Sequence, residues 1–201
     1  PPPDNPQTPG ADPLVGGAVD EDDLVPDGNS DLADADDLDD PTPTTVGGGP
    51  QGLAALFNVG ADSAVQNFGL KTSAAALQTL IDQGLTSNGA ALAYNVSGNV
   101  LTGYVESGDT PGYQQAEDGE VFTLTVGADG SWSFTLLDQL DHSHAGTEDN
   151  LYIDFSGVVS AEDADGDPVT AADDTFVIDV DDDMPQSWTA EGCPDDANVT
   201  N

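Results

Sequence analysis

Five segments of the chain alternate apolar and polar residues with a period of two. Leu92, Tyr94 and Val96 fall on one side of 91–97; Phe122, Leu124 and Val126 do so in 121–126, and Trp132, Phe134 and Leu136 in 131–137. Leu151, Ile153 and Phe155 repeat the pattern in 150–156, as do Phe176, Ile178 and Val180 in 175–180. Successive side chains of a strand point to opposite faces, so each segment predicts a strand with one buried and one wet face. The positions between are mostly Thr, Ser, Asn and Asp. Residues 100–105 (VLTGYV) predict a further strand broken by Gly103, and residues 53–59 (LAALFNV) another. The GADG of 127–130 reads as a short hairpin loop. One stretch, 73–83, has helical spacing: Ala76, Leu77, Leu80 and Ile81 share a face, Ser73 can cap it and Gly84 can stop it.

Short strands separated by Gly- and Asp-rich turns predict an all-β chain. The expected architecture is an antiparallel Ig-like β-sandwich with one short helix and an extended acidic N-terminal segment. Trp132 and the strand aromatics belong to its core. Residues 1–19 read as a Pro/Gly-rich linker, 20–185 as the sandwich module, and 186–201 as the start of a following module or a tail. Within the module, 20–40 is densely acidic and 41–52 is a cluster of structure breakers. Tyr104 and Tyr113 flank a polar loop and are the better candidates for exposed contacts.

Charge narrows the function. The 201 residues include 39 acidic and a single basic side chain, giving a formal net charge of −38. Only Lys71 is basic, so phosphate-based binding of nucleic acid, adhesion to an anionic membrane and arginine clamping of phosphate are all excluded. No apolar run approaches the roughly 18 residues of a membrane span. Cys193 is the single cysteine and makes no intrachain disulfide. A body carrying this much like charge repels itself, so its folding calls for screening or bound cations.

Three acidic clusters are the candidate ligand sets: Asp20-Glu21-Asp22-Asp23, Asp163-Ala-Asp165-Gly-Asp167 and Asp181-Asp182-Asp183. Asp27-Gly-Asn29-Ser-Asp31 is a weaker fourth. Ca²⁺ takes about six to eight hard oxygen ligands, which such clusters supply. Along a straight strand Asp163, Asp165 and Asp167 would stand too far apart to share an ion, so a turn at Gly166 and Pro168 is required. Pro168 and Asp174 stand where an EF-hand loop needs Gly and Glu, so the pattern is not an EF-hand. His142 and His144 (DHSHAG) form at most half of a transition-metal site and are read as a polar loop. No nucleophile elbow, Walker loop or HExxH sequence occurs, and among so many acids no carboxylate pair stands out for catalysis. The chain is therefore expected not to be an enzyme.

The segments VDEDDLVPDG (19–28), GLTSNGAALAYNVSGNVLTGY (84–104), VFTLTVGADGSWSFTLLDQLDH (121–142), GTEDNLYIDFSGVVSAEDADGDPV (146–169) and FVIDVDDDMP (176–185) together resemble a repeat module of giant type I-secreted RTX adhesins of Gram-negative bacteria. The resemblance implies a Ca²⁺-rigidified extender domain in a long chain of β-sandwiches, secreted through a type I system and tethered at the outer membrane. It implies an extracellular place at the bacterial surface, neighbouring domains of the same adhesin as partners, and contact with glycans or other cells through adjacent modules in biofilm formation. Asp20, Glu21, Asp22, Asp163, Asp165, Asp167, Asp181, Asp182 and Asp183 are the ligands it implies. The glycine-rich nonapeptide Ca²⁺ roll of that family is absent, which places the chain in the adhesin's body. The alternative is a Ca²⁺-dependent module that itself binds a glycan or surface ligand, through the ion or through the 104–118 loop.

Overall fold

The computed structural model describes residues 13–24, 44–60, 64–142 and 150–182. Along the chain run β1 (Val15–Asp20), β2 (Thr45–Gly48), a 3-10 turn (Ala54–Leu56), β3 (Gln66–Leu70), α1 (Ala74–Ile81), β4 (Thr86–Ser87), β5 (Ala90–Ala91), β6 (Ala93–Ser97) and β7 (Val100–Val105). There follow β8 (Gly119–Val126), β9 (Trp132–Leu136), β10 (Asn150–Asp154), β11 (Val159–Glu162), β12 (Pro168–Val169) and β13 (Phe176–Asp181). The chain is an all-β sandwich with one short helix. One sheet has the order β2-β9-β8-β7-β6; against it stand β1-β13-β10 and β12-β11-β3, while β4 and β5 make a small hairpin. All pairs are antiparallel except β1 with β13, which run parallel.

Alternation puts most of the expected residues inside, while Tyr94 and Val96 of β6 are only half-buried. Phe122, Leu124, Phe134, Ile153, Phe155, Phe176, Ile178 and Val180 are fully buried, and Trp132 nearly so. Rings interlock across the layers: Phe155 lies 5.7 Å from Phe122 and 5.8 Å from Phe134, and Trp132 lies 5.0 Å from Phe176. Burial of one such side chain contributes about 1.5–3 kcal/mol. The break expected at Gly103 is a bulge between Gly103 and Tyr104, and the Phe122 ring lies where a Cβ of Gly103 would be. The helix forms as its sequence predicts, with Ser73 Oγ accepting the Ala76 N–H at 3.2 Å. Of its expected face, Ala76 and Leu80 are buried, whereas Ile81 at the last turn is exposed.

Three expectations change. The 53–59 segment is a turn and not a strand: Leu53, Leu56 and Phe57 are buried at spacings of three and four, which curl the chain over the core. Tyr104 is buried, its ring 5.0 Å from that of Tyr113. Strands β1 and β2 lie in segments read as linker and breakers. Their glycines serve close packing: a side chain at Gly17 would run into Val46, and one at Gly48 into the Trp132 indole.

Candidate metal centre

Strands β1 and β13 pair in register from Val15↔Phe176 to Asp20↔Asp181. Both run straight into acidic sequence, 20–23 and 181–183. Parallel strands end at the same edge of a sheet, so the starts of the two runs, Asp20 with Glu21 and Asp181 with Asp182, meet. The Glu21 N–H extends the ladder by donating to the Asp181 carbonyl at 3.2 Å. Asp20 is 8% and Asp181 2% exposed, side by side on neighbouring strands. One residue pair back on the same face, Asp179 stands between Ala18 and Tyr152.

This crowding perturbs protonation. Burial raises the Asp20 carboxyl to about 6; the Asp22 N–H, donating to Asp20 Oδ1 at 2.8 Å, opposes the rise, and the charges of Asp22, Asp181 and Asp23 add to it. Asp179 is likewise raised to about 6 by burial, with a hydrogen bond from Asn150 pulling it down, Asp181 pushing it up and His142 pulling it down. The one basic side chain is engaged elsewhere: Lys71 Nζ donates to the Gly157 carbonyl at 3.1 Å.

Glu21 is 2% exposed, and its Oε1 accepts the Leu140 N–H at 2.7 Å. The same oxygen lies 3.5 Å from His142 Nε2, and the His142 side chain is only 3% exposed. Glu21, His142 and Asp182 each offer one ligand atom within 4.8 Å of the others. His142, read as part of a polar loop, is therefore buried against the acidic end of the sheet. Nothing in the local sequence shows this, because its neighbours Glu21, Asp179 and Asp182 lie far along the chain. Asp179 could have been found: alternation of 175–180 sets it on the face opposite Ile178.

Asp163, Asp165 and Asp167 occupy the hairpin between β11 and β12, with Gly166 at φ +87° supplying the expected turn. Asp163 Oδ1 accepts the N–H groups of Asp165 and Asp167 at 3.2 and 2.9 Å, so this carboxylate holds the turn. Asp165 and Asp167 are exposed. Among the described residues, three donors gather at the β1/β13 end and not in this hairpin. Asp183, His144 and the 27–31 cluster lie outside the described residues. In the 104–118 loop, Asp118 accepts the N–H groups of Ser107, Gly108 and Gln114 at 2.9, 3.4 and 2.6 Å, which holds its carboxyl below the usual range. The Tyr113 hydroxyl donates to Glu120. Comparison with protein-family models, with curated proteins and with solved structures finds no match.

Proposed function

We propose that the chain is a non-enzymatic, Ca²⁺-stabilised extender module of a large bacterial RTX adhesin, exported by a type I system and holding ligand-binding domains away from the cell surface in adhesion and biofilm formation. The observation that carries the cation half of this reading is the register of β1 on β13. It presses Asp20 and Asp181 together, both buried, beside Glu21, Asp22 and Asp182 and without a nearby Lys or Arg. Carboxylates so placed oppose folding unless protonated or held by a cation. Hard oxygens in this number suit Ca²⁺, and sites of about 10⁻⁴–10⁻³ M serve extracellular modules. The adhesin half rests on the ordered sequence resemblance over 19–185.

Mechanically, Ca²⁺ would tie the N-terminal strand to the last strand and stiffen the end at which the next module joins. An ion that binds only the folded chain stabilises it by about RT ln(1 + [L]/Kd), so 10 mM Ca²⁺ at a 10⁻⁴ M site adds about 2.7 kcal/mol. Thermal melting in CaCl₂ and in EGTA tests the reading. A rise of several °C with Ca²⁺ is expected, reduced in Asp181→Asn; an equal melting temperature in both buffers refutes it.

A further inference from the structure

We propose that Glu21, His142 and Asp182 form a binding site for a divalent first-row transition ion, Zn²⁺ or one like it, which shares two carboxylates with the Ca²⁺ reading and differs from it by the imidazole donor. The donor set is mixed, two carboxylates and an imidazole. Ca²⁺ takes oxygen, whereas imidazole with carboxylate suits zinc, iron, nickel and copper.

The spacing agrees. His142 Nε2 and Glu21 Oε1 are 3.5 Å apart. That is long for a charge-assisted hydrogen bond, which runs about 2.7–2.9 Å. It is close to the separation of about 3.3–3.4 Å between two donors held 2.0–2.1 Å from one tetrahedral ion.

The chain segments that carry the donors are also held before any ion arrives. The donors come from three stretches of chain, after β1, after β9 and after β13, and each stretch is pinned by the backbone. Glu21 N–H donates to the Asp181 carbonyl, Leu140 N–H donates to Glu21 Oε1, and Asp141 N–H donates to the Thr86 carbonyl at 2.8 Å. Asp141 Oδ2 in turn accepts the Gly89 N–H at 2.8 Å, anchoring the His142 segment on the β4–β5 hairpin. Donors carried on held backbone are what a tight site needs. Three protein ligands leave a position open for water or a further carboxylate. The surrounding negative field raises the local concentration of any divalent cation.

The test is calorimetric titration of the EDTA-stripped 201-residue chain with ZnCl₂ at pH 7, with Co²⁺ as a spectroscopic substitute. Expected are a saturable single site, a visible Co²⁺ absorption of tetrahedral intensity that Zn²⁺ abolishes, and at least a tenfold loss of Zn²⁺ affinity in His142→Gln. Absence of Zn²⁺ binding, or unchanged affinity in His142→Gln, overturns the proposal. If that variant does not fold, the imidazole ¹⁵N shift of His142 in the unaltered chain decides: a change on adding Zn²⁺ supports the site, and no change refutes it. Melting of His142→Gln in CaCl₂ and EGTA keeps the two readings apart, because a Ca²⁺ shift that persists there belongs to the extender reading alone.

Discussion

Ser156 is 1% exposed, and its Oγ accepts the backbone N–H groups of Thr175 and Phe176 at 3.0 and 2.9 Å. Ser156→Ala would leave both amides without that acceptor at the start of β13. A loss of about 1–3 kcal/mol is expected, read as a lower urea midpoint at unchanged slope. The acids act with pH. Folding raises the carboxyls of Asp20 and Asp179 from 3.8 to about 6, so between roughly pH 4 and 6 the folded chain binds more protons than the unfolded one. The stability they contribute is therefore present at acid pH and lost as pH rises through that window. Asp118 and Asp129, held low by hydrogen bonds, act with the opposite sign, but below about pH 4. In EDTA, Asp20→Asn should raise the melting temperature at pH 7.5 and change it little at pH 4.5; in saturating CaCl₂ at pH 7.5 the same variant should melt lower than the unaltered chain. At this scale the sequence was partly informative: it marked Asp20, Glu21 and Asp181 as candidates, but their burial, and that of His142, depends on residues far along the chain.

At the scale of elements, Gln83 joins the helix end to a sheet edge. Its Nε2 donates to the Asp154 carbonyl at 2.8 Å and its Oε1 accepts the Asp154 N–H at 2.9 Å, completing the outer side of edge strand β10. Gln83→Ala should cost about 1–2 kcal/mol and speed hydrogen exchange at the Asp154 amide. Strands with an inward apolar set, such as β8, β9, β10 and β13, were legible because period-two alternation is local. Strands β1 and β2 (VGGAVD and TVGG) were not: their glycines match breaker composition, and only the approach of Val46 and Trp132 shows why small residues are needed there. The 53–59 segment misleads because a short apolar run suits a strand or a helical turn equally well.

For the whole molecule the net charge of −38 dominates. Self-repulsion on that scale is screened within about 8–10 Å at moderate ionic strength. In EGTA the melting temperature should therefore climb between 20 and about 500 mM NaCl; differential scanning calorimetry would register it, and a flat response would show that the aromatic core alone outweighs the repulsion. CaCl₂ should act at far lower concentration than NaCl if the proposed site gathers several carboxylates around one ion.

The sequence by itself determined the class of fold, the buried side of most strands, the capped helix, and a strongly negative net charge. It also set acidic runs just beyond Val19 and Val180. What only the tertiary structure decided is that these runs share one place. Antiparallel pairing would have sent them to opposite ends of the sheet; parallel pairing of β1 with β13 brings them to the same end and draws His142 in beside them. The choice between the two pairings is made by contacts between residues some 160 positions apart, Asp20 and Asp181 among them, and no local pattern encodes such a contact.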